Sequence, residues 1–360
     1  MDKKKIVLSG IRPTGKLHLG NYLGALSKFV KMQQDGIYDS YFFIADLHAL
    51  TTNPDANALH ENVRDVVAEY LAAGLDPDRS TIFVQSDVPE IPELYLLLNM
   101  HVGIGELMRT AAFKDKARKA LGIATVAADS DDDADMAKEI IGAQSNKRVN
   151  AGLLTYPTLM AVDILIQHAD FVPVGKDQEQ HLELTRRFAR RFNAFYKVDY
   201  FNEPENFNYG GAAVKVPGLD GSGKMGKSEG NCIYLSDEEK PLRKKVMRAV
   251  TDAGPTEPNQ PMAEPVQNLF TILKLVSDQA TVDYFTAAYN DCSIRYGDLK
   301  KAIADGIVAI TTPIRERIEA IKGDDAYIGR VLREGADRAR ARASKTLAEV
   351  RDIMGIRRFY

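Results

Sequence analysis

The stretch SGIRPTGKLHLGNYLGAL, residues 9–26, constrains the fold of this chain more than any other part of the sequence. A short apolar run leads into it, and after it apolar residues recur at helical spacing. This pattern predicts a strand, a glycine-rich turn and a helix N-terminus. Such a turn can bind phosphate, because glycine lets the backbone approach a ligand and the helix N-terminus offers free N–H groups. The turn has neither the P-loop nor the GxGxxG pattern, so a purely structural turn is an equal alternative.

Strand and helix patterns alternate through the first half of the chain. Strands are predicted at residues 6–9, 41–45, 81–85 and 171–174, and helices at 21–34, 58–73, 92–99, 105–113, 156–168 and 178–192. This alternation predicts an α/β fold, a Rossmann-like doubly wound parallel sheet. Ligands bind at the carboxyl ends of the strands in such sheets. Here those ends carry polar residues, namely Ser9, Asp46, His48, Gln85 and Asp177.

The second half of the chain is dominated by helical patterns. Helices are predicted at 241–251, 266–276, 282–289, 296–308, 313–321 and 326–354. We therefore predict a nucleotide-binding domain over residues 1–235 and a C-terminal α-helical domain over 236–360. The end of the chain is basic, with nine Lys or Arg against four Asp or Glu between residues 330 and 360. A solvated helix face and a contact with RNA backbone are both consistent with this composition.

An insertion at about residues 118–150 interrupts the alternating pattern. It contains the acidic run DSDDDAD at residues 129–135. A calcium loop needs Gly at its sixth position and Glu at its twelfth, but Ala134 and Ile140 stand there. We therefore predict a solvated surface loop rather than a calcium site.

Composition excludes several classes of protein. The 360 residues allow two domains, and a formal net charge of −3 excludes a uniformly basic nucleic-acid coat. The two cysteines, Cys232 and Cys292, have no metal-binding spacing and imply no disulfide framework. The N-terminus has no signal-peptide core, and no apolar run approaches the roughly 20 residues that span a bilayer. We expect a soluble cytoplasmic protein with no membrane partner and no metal centre of its own.

Two further patterns point to a binding site. The loop at residues 221–231, GSGKMGKSEGN, places Lys224 and Lys227 in a glycine-rich segment, where their ammonium groups could close over a polyphosphate. On the helix predicted at 156–168, Tyr156, Met160 and Asp163 share one otherwise apolar stripe. A carboxylate there must be paired, since an unpaired buried charge is costly. A salt bridge to a core arginine is the structural alternative.

Together these segments resemble a known enzyme family. TGKLHLGN and the later KMGKS resemble the HIGH and KMSKS signatures of class I aminoacyl-tRNA synthetases. GELMRTAAFKDK, AGLLTYPTLMAVDIL and VPVGKDQEQHLELTRRFARRFN narrow the resemblance to tryptophanyl-tRNA synthetases. It covers the first 235 residues apart from the insertion and is weaker over the helical remainder. Three departures are Gly226, where KMSKS has Ser, Ala112, where some relatives have a polar residue, and the insertion itself.

The resemblance implies a two-step reaction. The carboxylate of L-tryptophan attacks the α-phosphate of ATP, giving tryptophanyl-adenylate and pyrophosphate, and the 3′-terminal ribose of tRNA(Trp) then takes the tryptophan. Mg²⁺ is expected to accompany ATP, bound chiefly by phosphates and water. The resemblance also implies a homodimer and anticodon contact by the helical domain, with no role for DNA.

The same resemblance assigns roles to individual residues. It implies that the catalytic group comprises His18, Asn21, Lys224, Lys227 and Ser228. The implied ATP-binding residues include all of these except His18, together with Arg12, Thr14, Gly15, Gly20, Lys116, Gly175, Asp177 and Met225. The implied tryptophan-binding residues are His48, Tyr156, Met160, Asp163 and Gln178, with Asp163 accepting the indole N–H.

Three alternatives stay open at this stage. A tyrosyl-tRNA synthetase shares the fold and both signatures, although a phenol calls for a donor and an acceptor where this sequence offers one carboxylate. A non-catalytic synthetase paralogue would need neither His18 nor the loop lysines. A nucleotidylyltransferase with a related HxGH-type turn is usually shorter and lacks the KMGKS loop and the helical tail.

Overall fold

The protein is described here from a computed structural model. The structure describes residues 4–52, 54–121, 149–175, 178–207, 209, 214–227, 229–357 and 359. Five parallel strands form one sheet in the order β3-β2-β1-β4-β5. They span Ile6–Ile11 (β1), Asp39–Ile44 (β2), Thr81–Val84 (β3), Phe171–Val172 (β4) and Glu205–Asn206 (β5). The predicted doubly wound parallel sheet is confirmed, with β5 as a short edge strand that the sequence pattern does not predict.

Helices cover both faces of this sheet and form the second half of the chain. The first, α1, runs through Leu19–Asn21, a π-helical turn at Tyr22–Leu26, and Ser27–Asp35. The other helices of the first half are Asp46–Ala49 (α2), Ala56–Ala72 (α3), Glu90–Asn99 (α4), Ile104–Met108 (α5), Ala111–Leu121 (α6), Ala151–Ile166 (α7) and Glu179–Tyr196 (α8). The second half contributes Glu239–Met247 (α9), Glu264–Val276 (α10), Gln279–Asn290 (α11), Tyr296–Lys322 (α12) and Asp325–Ile353 (α13).

Local chemistry accounts for where several helices begin and end. Asp55 caps α3 by accepting the backbone N–H of Ala58 at 3.0 Å, and Gly74, with a φ of 111°, follows the end of that helix. Asn150 caps α7 through the N–H of Leu153 at 2.9 Å. This cap explains why α7 begins five residues earlier than the predicted 156–168.

Three sequence predictions are wrong in detail. The helix predicted at 105–113 is two helices, because the Thr110 hydroxyl accepts the N–H of Phe113 and starts a new helix at α6. The helices predicted at 296–308 and 313–321 are one, α12, which contains Pro313 without ending there. The strand predicted at 171–174 stops at Val172.

Strand order locates the site of ligand binding. From β1 the chain moves outward to β2 and β3, then crosses back to β4 on the other side of β1. The crevice between β1 and β4, outside their carboxyl ends, is the topological switch point at which doubly wound sheets bind ligands. Apolar side chains of β1, β2 and β3 are buried on both faces of the sheet, which holds these strand ends rigidly in place.

The helices of the second half divide between two cores. Helices α9 to α12 bury their own apolar cluster, joined by Leu19 of the N-terminal turn and Met225 of the lysine loop. The final helix, α13, instead packs on β3 and α4, so its apolar stripe belongs to the core of the sheet. Residues 325–353 therefore lie on the first of the two predicted domains.

Four arginines of α13 contribute to this packing. Arg340 and Arg351 pair with Glu90 and Glu93 of α4, and Arg342 pairs with Asp39. Arg338 donates to the carbonyl oxygens of residues 77 and 80. For these four arginines the structure supports an intramolecular role. Separately, none of the helices that the structure describes has the length and apolar composition needed to cross a membrane.

Candidate active site

A cavity of about 410 Å³ opens at the switch point. Its volume is in the range of small-molecule binding sites. It is lined by the ends of β1, β2 and β4 and by one face of α7. Eight of the residues assigned to substrates from the sequence line it: Arg12, His48, Lys116, Tyr156, Met160, Asp163, Gly175 and Gln178.

The deep end of the cavity combines apolar walls with one buried carboxylate. Phe43, Met160 and Ile164 supply apolar surface, and Asp163, which is 3% exposed, lies among them. Asp163 accepts from Gln85 Nε2 at 2.7 and 2.9 Å and lies 3.0 Å from His48 Nε2. Burial raises the pKa of Asp163, while its contacts with His48 and Gln85 oppose that rise. Its partners are thus an imidazole and an amide rather than the core arginine of the structural alternative.

These contacts determine what Asp163 can still bind. Both Gln85 Nε2 and His48 Nε2 are directed at Asp163, so the donors at this end of the cavity are engaged. A carboxylate has about four acceptor positions, and among the described residues Gln85 and His48 make three contacts with Asp163. The end of the cavity therefore offers an acceptor to one further N–H group.

The mouth of the cavity is cationic. Lys116 Nζ lies 3.6 Å from the centroid of the Tyr156 ring, and Arg12 donates to the Thr52 hydroxyl at 3.4 Å. Within the described part of the chain, no carboxylate forms an ion pair with either cation. Burial, and secondarily the charge of Arg12, lowers the pKa of Lys116 to about 8. These two cations are placed to meet a carboxylate or a phosphate.

Tyr156 stands between the two ends of the cavity. Its hydroxyl lies 2.8 Å from His181 Nε2 on α8, and burial raises its pKa above the ordinary value. The phenol is therefore neutral at physiological pH, and it is hydrogen-bonded to His181, a histidine that the sequence analysis does not assign to the site.

The glycine-rich turn beside the cavity is fixed by backbone contacts. The N–H of His18 donates to Asn21 Oδ1 at 3.0 Å, and the N–H of Leu19 donates to the Ile233 carbonyl at 2.8 Å. A Cβ at Gly20 would lie 2.9 Å from His18 Nδ1, so glycine is needed for this close approach. Burial, with the charges of Lys227 and Lys224, lowers the pKa of His18 to about 4.

The lysine loop reaches this turn directly. Lys227 Nζ donates to the Gly15 carbonyl at 2.7 Å, and Met225 is buried next to Gly20. Lys224 is exposed. The loop is shaped by Asn231, whose side chain accepts the N–H of Gly226 and donates to Asp220, Ser222 and the Lys224 carbonyl. Two segments about 200 residues apart in the sequence thus meet as one site.

The remaining predicted residues divide into two groups. Thr14 is exposed on the turn, where its N–H donates to the Arg12 carbonyl at 2.9 Å. Asp177, Ser228, the side chain of Ala112 and most of the insertion lie outside the described residues. The sequence predicts Gln85 at a strand end but does not assign it to the site. Its hydrogen bonds to Asp163 make it part of the site.

Comparison with known proteins identifies the family. A family model described as tRNA synthetases class I (W and Y) matches residues 1–312. The chain is 58% identical over 351 residues to a tryptophan–tRNA ligase of Porphyromonas gingivalis, covering 98% of this chain and 99% of that protein. This chain belongs to the class I aminoacyl-tRNA synthetases for tryptophan and tyrosine.

Two further relatives of this synthetase agree. A tryptophan–tRNA ligase of Fusobacterium nucleatum is 39% identical over 350 residues, covering 97% of each chain. The crystal structure of tryptophanyl-tRNA synthetase from Campylobacter jejuni complexed with ADP and tryptophan superposes with a TM-score of 0.80 at 32% identity, covering 97% of this chain and 99% of that one. These matches confirm the resemblance stated from the motifs and the Rossmann-like fold with a helical C-terminal part.

Proposed function

We propose that this synthetase is a tryptophan–tRNA ligase that joins L-tryptophan to tRNA(Trp) at the expense of ATP. The arrangement of hydrogen-bonding groups at the end of the cavity is the observation that favours tryptophan over tyrosine as the substrate. An indole offers one N–H donor and no acceptor, and Asp163 has one acceptor position left while its neighbouring donors are engaged. A phenol would need a free donor there as well. The relatives at 58% and 39% identity are ligases for the same amino acid.

Activation of tryptophan needs positioning and charge stabilisation, and no covalent enzyme intermediate. A carboxylate oxygen of tryptophan attacks the α-phosphorus of ATP, and the bond from that phosphorus to the bridging oxygen of the β-phosphate breaks, releasing pyrophosphate. Lys116 and Arg12 lie at the cavity mouth, where the tryptophan carboxylate and the α-phosphate would meet. Tyr156 and Gln178 would hold the α-ammonium group.

The glycine-rich turn and the lysine loop would stabilise the leaving pyrophosphate. His18 and Asn21 lie on the turn, and Lys227 already contacts it at Gly15. Lys224, being exposed, could close over the β- and γ-phosphates together with Lys227. Cations positioned where charge develops contribute much of the catalysis of phosphoryl-type transfers.

Mg²⁺ would enter this site with ATP. Among the residues that the structure describes, no three His, Cys, Asp or Glu side chains are grouped as a metal-binding set. The phosphates and water are the ligands that Mg²⁺ commonly keeps in nucleotide sites. The ion would neutralise phosphate charge, while the protein contributes its lysines.

We also propose a homodimer, supported by an exposed apolar patch. Leu96, Met100, Ile104 and Phe195 are each more than half exposed, and the rings of Phe195 and His101 lie 5.1 Å apart. Contiguous exposed apolar surface is typical of protein interfaces. A second copy of this chain is the partner implied by the family resemblance.

The dimer proposal is tested by charge substitution. Met100→Glu combined with Phe195→Glu should yield a monomer in light scattering coupled to gel filtration. Ile37→Glu is the matched control, because Ile37 is comparably exposed away from the patch and should leave the dimer intact. A monomeric wild type, or a dimeric double variant, would contradict the proposal.

Amino-acid-dependent ATP–pyrophosphate exchange tests the function itself. Exchange should occur with tryptophan and not with tyrosine, and charging should require tRNA(Trp). Exchange with tyrosine would identify the chain as a tyrosyl-tRNA synthetase instead. Absence of exchange with either amino acid would favour a non-catalytic paralogue. Cytoplasmic location and anticodon contact by the helical domain predicted at residues 236–360 remain part of this proposal.

A further inference from the structure

A buried glutamate outside the predicted site contacts the glycine-rich turn. Glu69 lies on α3 and has no exposed surface. Its Oε2 accepts the backbone N–H of Leu17 at 2.7 Å, and Leu17 directly precedes His18. Its Oε1 has no hydrogen-bond partner among the described residues. Burying a carboxyl group with a single backbone hydrogen bond is unfavourable for folding, so packing alone does not explain why Glu69 stands here.

Charged groups from three elements face Glu69. Lys227 comes from the lysine loop, Lys322 from the end of α12, and Asp65 lies one turn earlier on α3. Asp65 forms its own ion pair with Lys322 at 2.5 Å. Burial is the main reason that the pKa of Glu69 rises to about 7, and Lys322 and Lys227 oppose the rise. Lys322 is thus already paired, and Lys227 is the charge from the active site that Glu69 faces.

The segment before His18 is therefore held at two points. Lys227 donates to the carbonyl of Gly15 at 2.7 Å, and Glu69 accepts the N–H of Leu17 at 2.7 Å. Glu69 also attracts Lys227, which raises the pKa of that lysine against the lowering effect of its burial. One carboxylate thus acts on both signature segments without lining the cavity.

We propose that Glu69 is a positioning residue for the nucleoside triphosphate: it fixes the backbone of the turn at Leu17, so that His18 is correctly placed, and it keeps Lys227 against that turn. This proposal rests on the proposed function. Glu69 does not touch the substrates, so its effect should be selective for ATP over tryptophan.

Two substitutions separate the hydrogen bond from the charge. Glu69→Leu removes both, and we expect kcat/KM for ATP in pyrophosphate exchange to fall about 10- to 100-fold, as misplaced catalytic groups do. KM for tryptophan should stay within about twofold of wild type, because the cavity is untouched. Glu69→Gln keeps an acceptor for Leu17 but lacks the charge that attracts Lys227, so it should recover only part of the loss. Glu61→Gln, an exposed change on the same helix, is the control.

The pH dependence of kcat/KM for ATP distinguishes a positioning role from a merely structural one, which would not change it. In the wild type, kcat/KM for ATP should rise between pH 6 and 8 as Glu69 ionises, whereas the Glu69→Gln profile should lack this rise. This comparison also decides the matter if Glu69→Leu fails to fold. Identical profiles, or equal losses for ATP and tryptophan, would overturn the proposal.

Measuring the affinity for ATP tests the role of Glu69 independently of the proposed ligase activity. Titration calorimetry with ATP needs no turnover, and Glu69→Leu should bind ATP more weakly than the wild type and Glu61→Gln. Equal affinity would reject the role of Glu69 while tryptophan-dependent exchange by the wild type still supported the ligase. Exchange with neither amino acid, together with weakened ATP binding by Glu69→Leu, would reject the ligase and retain the role of Glu69 in nucleotide binding.

Discussion

At the scale of a single residue, burial sets the charge of His18, which is proposed to bind phosphate. Its pKa of about 4 leaves the imidazole neutral at physiological pH, because the ring is buried and two lysines approach it. A neutral imidazole can donate to a phosphate without repelling the lysines beside it. Gly20 lets the backbone run against this ring, and any side chain there would displace it.

Replacement of His18 should therefore affect catalysis far more than folding. We expect His18→Ala to lower kcat of pyrophosphate exchange by about 10²- to 10³-fold, the effect of losing one preorganised donor. The matched control is His60→Ala on the exposed face of α3, which should retain wild-type activity. Comparable activity in the two variants would show that His18 does not contact the reacting phosphates.

Glu69 should make stability depend on pH. Its folded pKa of about 7 lies above the ordinary 4.5, so the folded state holds a proton that the unfolded state has lost between these values. The free energy of unfolding must then fall as pH rises through this window, by up to about 3 kcal/mol. Urea unfolding of Glu69→Gln should lack this component, so its advantage over the wild type should grow between pH 5 and pH 8. A constant difference would contradict the raised pKa.

Among the elements, α13 depends most on close backbone contact. At Gly335 a Cβ would lie 1.7 Å from the Ile82 carbonyl oxygen, so the helix can approach β3 only through a glycine. Gly329, on the same helix, has no atom within 4 Å of such a Cβ. Substitutions at these two glycines therefore distinguish the effect of packing on stability from that of helix propensity.

The same change from glycine to alanine should have opposite effects on stability at these two positions. Gly335→Ala should destabilise the protein by about 1–3 kcal/mol or more, because the helix must move off the sheet. Gly329→Ala should be neutral or stabilise by up to about 1 kcal/mol, since alanine favours a helix. Urea unfolding measures both. Equal effects would show that α13 does not rest on β3 as described.

The sequence predicts those elements that leave a repeating apolar pattern and misses features that depend on tertiary packing. Periodicity located β1 to β4 and most helices, because burial of one face leaves a repeating pattern. It could not show that Pro313 is accommodated inside α12, since tertiary packing rather than local preference decides that outcome. It also missed β5, whose two residues, Glu205 and Asn206, carry no apolar pattern.

For the site, the motifs predicted which residues line the cavity but not how they are partnered. Asp163 was expected to need a partner, and the sequence left a salt bridge to arginine open. Gln85 and His48 became its partners only because the segments that follow β3 and β2 meet α7 at the end of the cavity. Glu69 carried no sequence signal, since its role depends on a contact with Leu17 made across 52 residues.

At the scale of the whole molecule, the synthetase assembles its site from both halves of the chain. The sheet supplies the cavity, and the helical core that contains α9 to α12 also buries Met225 of the lysine loop and Leu19 of the turn. On the proposed function, the amino acid would be selected at the sheet, while the lysine loop proposed to bind ATP is anchored in the helical core. Asp163, at the end of the cavity in the sheet, is the residue proposed to recognise the indole N–H.

The most direct test compares tryptophan with β-(3-benzothienyl)alanine, which replaces the indole N–H by sulfur and keeps the shape. In pyrophosphate exchange, kcat/KM of the wild type should favour tryptophan by about 10²-fold or more, because the analogue leaves a buried acceptor unpaired. Asp163→Ala should lower activity with tryptophan and bring this ratio close to one. Equal use of both amino acids by the wild type would show that Asp163 does not recognise the indole N–H.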